Sequence, residues 1–231
     1  MLQLVIGNKN YSSWSMRPWV LMRQFDIAFD EIKLRFDFTP GSSFYRALAQ
    51  HTPAGHVPVL LIDGFAVWDT LAIAEALADL HPTLPLWPRE AKARARARSL
   101  CAEMHAGFGA LRSHCPMNIE ASLPQVGVRV WAEQAGVRRD LQRIDAMWQA
   151  QLQAHGGPFL FGEFCAADAY FAPVVARTRC YALPLSAPAQ AYADRVWAAP
   201  GVSAWVADAL AERDFLDFEE PYRSASAVNG A

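Results

Sequence analysis

The sequence predicts an α/β domain with a mixed four-stranded sheet, followed by an all-α domain, and three observations carry that prediction. Val57-Pro58-Val59-Leu60-Leu61-Ile62, then Asp63-Gly64, then Phe65-Ala66-Val67-Trp68 reads as a β-hairpin turned at Asp-Gly. His81-Pro82-Thr83-Leu84-Pro85-Leu86-Trp87-Pro88 carries three prolines in seven residues and cannot be helical, so it reads as an interdomain linker. Beyond it, the apolar spacing is helical almost throughout.

Within the first domain, expected to span residues 1–81, Leu2-Gln3-Leu4-Val5-Ile6 reads as a strand that Gly7-Asn8-Lys9-Asn10 breaks. A helix follows over about 14–26, with Trp14, Pro18, Leu21 and Phe25 on one stripe and Ser12 or Ser13 as its cap. Pro18 is tolerated only near the first turn, where a missing N–H costs little. Residues 31–36 suggest a second strand and residues 43–50 a short helix. After the hairpin, Asp69 caps a helix with Ile73, Leu77 and Leu80 on one side. The order β-α-β-α-β-β-α ends in a hairpin, so the sheet is mixed rather than all parallel. The linker is expected at 82–89 and the helical domain at 90–223, with helices over 90–114, 125–154, 166–181, 187–198 and 202–213. Residues 224–231 read as a frayed tail.

Composition narrows the function. A net charge of -2 gives no global attraction to nucleic acid or anionic membrane. No apolar run approaches the roughly 20 residues of a membrane span, and no basic residue precedes the short apolar start, so the expectation is a cytoplasmic protein. Cys101, Cys115, Cys165 and Cys180 include no C-x-x-C pair and read as buried free thiols rather than a disulfide framework or metal site. Cys101 and His105 share a helical face, but two ligands do not make a metal site, and both read as packing residues. Lys92, Arg94, Arg96 and Arg98 step by two residues, which scatters their charge around a helix and suggests a solvated face or dimer edge.

Three segments of the first domain carry chemistry. Tyr11-Ser12-Ser13-Trp14-Ser15-Met16-Arg17 joins the first strand to the first helix. His56-Val57-Pro58-Val59-Leu60 enters the hairpin, and Asp69-Thr70-Leu71-Ala72-Ile73 opens the third helix. Singly, each reads as a helix cap or an ordinary proline. In this order they resemble the cytosolic glutathione transferases, serine-type, with the Ser-Ser-x-Ser-x-Arg run similar to that of the zeta class, the maleylacetoacetate isomerases. Gly162-Glu163-Phe164-Cys165-Ala166-Ala167-Asp168 resembles the capping segment of that family's second domain. There Cys165 stands where the family has Ser or Thr as N-cap, which shifts the capping role to Asp168.

The resemblance implies a thioredoxin-like first domain, a helical bundle as second domain, glutathione as co-substrate, no metal, and a homodimer. It implies that Val57, ahead of a cis Pro58, pairs its backbone with the cysteinyl residue of glutathione. Asp69 then faces the γ-glutamyl ammonium, Thr70 takes the γ-glutamyl carboxylate at a helix start, and His56 approaches the glycyl carboxylate. Ser12 is the implied catalytic residue, donating its hydroxyl to the sulfur, with Tyr11 as the alternative. Lowering a thiol pKa near 8.5 by about two units needs roughly 2.7 kcal/mol. One hydrogen bond to an anion supplies about 1.5–3 kcal/mol and a helix start up to about 1 more. Met104, Phe108 and Leu111 are expected to line a pocket for a small apolar electrophile, while Arg17 reads as a solvated surface arginine. Trp14 stands where zeta enzymes carry Cys, which separates this chain from the isomerase pattern. The implied activity is therefore glutathione transfer, with glutathione-dependent cis–trans isomerisation or a non-catalytic binding or regulatory module as alternatives.

Overall fold

Alternation along the strands divides the first domain's core in two. In the computed structural model, which describes residues 1–224, β1 (Leu2–Ile6) sends Leu4 and Ile6 to one face of the sheet and Val5 to the other. β1 pairs in parallel with β2 (Asp30–Lys33) and antiparallel with β3 (Val59–Ile62), which pairs antiparallel with β4 (Phe65–Trp68). The sheet order is β2-β1-β3-β4, mixed as the hairpin requires. α1 (Ser13–Gln24) and α3 (Thr70–Leu80) share the core of Leu4, Ile6 and Leu60, whereas α2 (Ser43–Leu48) covers Val5, Val59 and Leu61. β2 ends earlier than its apolar pattern suggests, because the Phe36 N–H turns to the Asn8 side-chain oxygen at 2.8 Å instead of a neighbouring strand. Pro18 lies in the second turn of α1, past the free N–H groups, so the helix gives up one internal hydrogen bond there.

The helical part comprises α4 (Ala91–Ala106), α5 (Gly109–His114), α6 (Pro124–Glu133), α7 (Ala135–His155), α8 (Ala166–Cys180), α9 (Ala187–Ala198) and α10 (Pro200–Glu212). Two helices that periodicity alone runs together, 90–114 and 125–154, are each broken in two. The first breaks where Gly107 is extended and Phe108 takes a left-handed φ of 59°. Phe108 supplies no side-chain cap to α5; Asp140 of α7 does so instead, accepting from the Leu111 N–H at 2.9 Å. The second breaks at Gln134, after which α7 packs on α5 so closely that a Cβ on Gly136 would lie 2.7 Å from that of Ala110. The tail expected at 224–231 lies, Ser224 apart, outside the described residues. No helix among the described residues is long and apolar enough to cross a membrane.

α8 is the central helix, buried along almost its whole length. It starts at Cys165, and Asp168 closes its first turn by accepting from the Cys165 N–H at 2.9 Å. The same carboxylate accepts from the Leu160 N–H at 3.2 Å and the Tyr192 hydroxyl at 2.9 Å. Burial pushes the Asp168 carboxyl up to about 6 while those donors pull it down. Lys9 joins the two halves of the chain, with its ammonium 2.7 Å from Glu31 and 2.5 Å from Asp208 of α10, above the Trp19 ring. All four cysteines are free and buried. Replacing Asp168 with Ala leaves three buried donors without an acceptor and is expected to cost about 2–4 kcal/mol, read as a lowered midpoint in urea unfolding.

Candidate functional site

Two adjoining cavities open where α1 and the hairpin meet the helical part. The smaller, about 380 Å³, is lined by Trp14, His56, Val57, Pro58, Asp69, Thr70 and His105. The larger, about 630 Å³, shares Trp14, His56 and Val57 with it and extends past Ser12 and Ser13 to α5, α8 and the segment after α10.

In the smaller cavity the Val57–Pro58 bond is cis, and among the described residues the Val57 main-chain N–H and C=O have no hydrogen-bond partner. Asp69 caps α3 from a positive φ of 72°, a conformation uncommon for a residue with a side chain. One of its carboxylate oxygens accepts from the Leu71 N–H at 2.9 Å, and the other lies 3.4 Å from His105 Nε2. The Thr70 hydroxyl accepts from the Tyr170 hydroxyl of α8 at 2.8 Å, which leaves its own proton free to donate. His56 is exposed, with its ring Nδ1 2.7 Å from the Ala54 carbonyl.

In the larger cavity, Ser12 is the N-cap of α1. Its hydroxyl oxygen accepts from the Ser15 N–H at 3.4 Å, and the hydroxyl donates to Ser15 Oγ at 2.7 Å. Ser15 Oγ also accepts from the Gly7 N–H at 3.2 Å. Ser13 Oγ accepts from Arg177 Nη2 at 3.3 Å. Tyr11 is committed elsewhere: its hydroxyl donates to Glu220 at 2.8 Å and accepts from the Leu216 N–H at 3.3 Å. Burial, with the Glu220 carboxylate beside it, pushes the Tyr11 phenol well above its ordinary range. Glu220 also accepts from Asn118 at 2.8 Å and Arg223 at 2.6 Å, so residues 215–223 strap down one wall of the cavity.

Three sequence readings change here. Met104, Phe108 and Leu111 face the core instead of the cavity; they are spaced as a single helical stripe, and that stripe packs inward. The wall is formed by Gly109, Arg112, Ser113, Pro116 and Met117, joined by Arg177 from α8. Arg17 is not solvated: it is 2% exposed, stacked over the Trp14 ring at 4.2 Å and the Tyr170 ring at 4.9 Å, because α8 covers the face of α1 that carries it. His105 does not only pack; it faces Asp69 and stacks edge-on to Trp14 at 4.9 Å.

A family model for the glutathione S-transferase N-terminal domain matches residues 11–80. Maleylacetoacetate isomerase of Rattus norvegicus is 26% identical over 175 residues, 75% of this chain and 76% of that protein. A Burkholderia glutathione transferase homolog, solved with bound glutathione, aligns with a TM-score of 0.66 at 21% identity, covering 92% of this chain and 99% of that one. The likeness to glutathione transferases thus rests on a family model over residues 11–80 and on a shared fold over most of the chain. A probable maleylacetoacetate isomerase of Caenorhabditis elegans is 28% identical over 101 residues; the chain spans less than half of that relative, 45%. The glutathione transferase of Methylococcus capsulatus shares the fold at a TM-score of 0.66 and 22% identity, over 91% of this chain and 100% of that one.

Arg177 and Glu219 are among the cavity residues that the sequence reading missed. Arg177 lies in the last turn of α8, beyond a motif that ends at Asp168, and Glu219 lies 207 positions beyond Ser12 (219 minus 12), so neither carried a local signal. Burial, reinforced by Glu220, pushes the Glu219 carboxyl from 4.5 up to about 7. A raised carboxyl pKa means that the folded state holds the proton more tightly than the unfolded chain, so stability falls as pH rises from about 4.5 to about 7. Glu219→Gln should therefore raise the thermal midpoint relative to the parent at about pH 8 and leave it nearly unchanged at about pH 4, measured by differential scanning calorimetry.

Proposed function

We propose that this chain is a glutathione-dependent transferase in which Ser12 stabilises the thiolate of glutathione for attack on an electrophilic carbon in the larger cavity. The observation that carries the reading is the meeting of the two cavities: the free Val57 backbone and the Asp69–Thr70 helix start lie in one, and the Ser12 hydroxyl lines the other. Val57 pairs with the cysteinyl backbone in the manner of an added strand. Thr70, held by Tyr170 with its proton free, donates to the γ-glutamyl carboxylate, and Asp69 accepts from the γ-glutamyl ammonium with His105 at its other side. His56, exposed at the rim, meets the glycyl carboxylate.

The sulfur then lies at the start of α1. Ser12 gives up its donation to Ser15 and donates to the thiolate, while Ser15 Oγ keeps the Gly7 N–H. Ser15 turns its own proton to the Ser12 oxygen, which strengthens Ser12 as a donor. Charge-assisted hydrogen bonding of this kind, about 1.5–3 kcal/mol, matches most of the roughly 2.7 kcal/mol needed to bring the thiol two units down. Tyr11 serves the C-terminal strap in this reading rather than the sulfur, since both sides of its hydroxyl are occupied.

In this reading the α/β part and the helical part are separate domains at 1–81 and 90–223, joined by 82–89. The aromatic residues Phe65 and Trp68, 73% and 42% exposed on edge strand β4, support a homodimer, and the composition supports a cytoplasmic location. A second reading is glutathione-dependent cis–trans isomerisation, favoured by the similarity to maleylacetoacetate isomerases; it uses the same thiolate and is distinguished by recovery of an isomer in place of a conjugate.

Ser12→Ala is expected to lower turnover of a generic chloronitrobenzene acceptor by about 30- to 100-fold while the protein stays retained on immobilised glutathione. Tyr11→Phe is expected to keep turnover within about threefold and to lose about 1–2 kcal/mol of stability. The reverse pattern of activities would move the sulfur-facing role to Tyr11.

A further inference from the structure

Three guanidinium groups gather around Trp14: Arg17 at 4.2 Å and Arg112 at 5.1 Å from its ring, and Arg177 bonded to the neighbouring Ser13. Arg177 is 5% exposed and lines the larger cavity together with Arg112. Every hydrogen bond it makes goes to a neutral oxygen: the Cys115 carbonyl at 2.9 Å, the Pro173 carbonyl at 3.2 Å and Ser13 Oγ at 3.3 Å. Arg112 likewise donates to the His105 and Gly107 carbonyls at 3.2 and 3.3 Å. Among the described residues none of the three makes an ion pair. Arg17 leaves Nε and Nη1 without hydrogen-bond partners.

A fold does not gain stability from such a set. Burying a guanidinium without a counter-ion is costly, and each additional one in the same region adds repulsion. Burial, then Arg17, then Arg112, bring the Arg177 pKa down from 12.5 to about 10, still far above neutrality, so the charge persists. Tethering Cys115, Pro173 and Ser13 needs donors but no charge. The carboxyl group that does line this cavity, Glu219, feels burial and Glu220 rather than any of these arginines, so it does not neutralise them.

Position separates these arginines from the part of the site that takes the glutathione backbone. Arg112 and Arg177 line only the larger cavity, whereas Asp69 and Thr70 line only the smaller one. Phe36, Phe38, Phe44 and Met117 line the same cavity and give it an apolar body.

We propose that the acceptor substrate carries a carboxylate on an apolar or aromatic body, and that Arg177 and Arg112 bind this carboxylate while the reacting carbon faces the glutathione sulfur. This rests on the glutathione transferase reading for the position of the sulfur, and it replaces the uncharged electrophile expected from sequence. The chemistry needs nothing further: the carbon–sulfur bond forms as a halide leaves with the electron pair of its bond to carbon, or as the π pair of an activated double bond takes up the thiol's proton.

The test is equilibrium binding to the full chain saturated with S-methylglutathione, which cannot react, followed through tryptophan fluorescence. The probes are para-nitrobenzoate and its uncharged isostere para-nitrobenzamide. The acid should bind at least about tenfold tighter than the amide, and Arg112→Gln and Arg177→Gln should each bring that ratio to within about twofold of unity. Arg112 is half-buried, so its variant keeps the test valid if Arg177→Gln does not fold. Equal binding of acid and amide by the parent, or a preference that survives in both variants, overturns the proposal. It is also overturned if the variants leave the ratio intact and instead raise the thiol pKa of bound glutathione, read from thiolate absorbance, because the arginines would then serve the sulfur. Absence of turnover with every acceptor would count against the transferase reading alone, since the binding ratio does not depend on reaction.

Discussion

Between the sheet and the helical part lies α1, whose eight consecutive residues from Ser15 to Met22 are all buried. A surface helix buries one stripe; this one is covered by the sheet and α3 on one side and by α8 and α10 on the others. The approach of α10 is close enough that a Cβ on Gly201 would sit 2.6 Å from the Val20 carbonyl oxygen. Because α1 and α8 are packed against each other, the start of α1 is presented to the last turn of α8. That contact brings Ser13 to Arg177, and it carries Tyr170 across to Thr70 on the neighbouring α3. The smaller and the larger cavity are thus tied to one helix pair.

This packing also explains which features were legible in the sequence. The strands, the Asp-Gly hairpin and the helix start at Asp69 are local: alternation of period two, a turn dipeptide and a capping side chain each act within a few residues. The stripe Trp14, Pro18, Leu21 and Phe25 was visible for the same reason. The burial of Arg17 was not, because it depends on α8 arriving from about 150 residues away and offering the Tyr170 ring. A partial signal was present: Met16, Trp19, Val20 and Met22 are apolar off the stripe, which is more apolar surface than one face needs. The break at Gly107-Phe108-Gly109 had a signal too, two glycines flanking one residue, which outweighs helical periodicity once Phe108 is left-handed. The break at Gln134 had none, and it follows from the seating of Gly136 on Ala110.

The candidate site divides along the same line. His56, Val57, Pro58, Asp69 and Thr70 come from two short segments of one domain, and the structure brings all five to a single cavity. Ser12 is the N-cap that its spacing suggests. His105 joins them from α4, and only tertiary structure sets its ring against Asp69. The larger cavity is assembled across the chain, from α1, α5, α8 and the strap after α10 among others, and helical periodicity assigned its wall to the core-facing stripe. Periodicity finds buried faces; it does not find a cavity whose lining includes charged groups.

The strap adds a coupling between the ends of the chain. Tyr11 lies next to Ser12, and its hydroxyl is clamped by Glu220 and the Leu216 N–H, while Asn8 and Arg35 hold Asp214 at 2.9 and 2.8 Å. Although burial alone would raise the Glu220 carboxyl, its hydrogen bonds from Arg223, Tyr11 and Asn118 keep it below the ordinary range and therefore charged. Tyr11 then cannot readily ionise, since a phenolate would face that carboxylate across 2.8 Å. The tyrosine is held neutral by the contact that fixes the strap, and the hydroxyl left to change partners beside the cavity is that of Ser12. A division of labour between adjacent residues follows: one secures the wall of the larger cavity, and in the proposed reaction the other faces the atom that reacts.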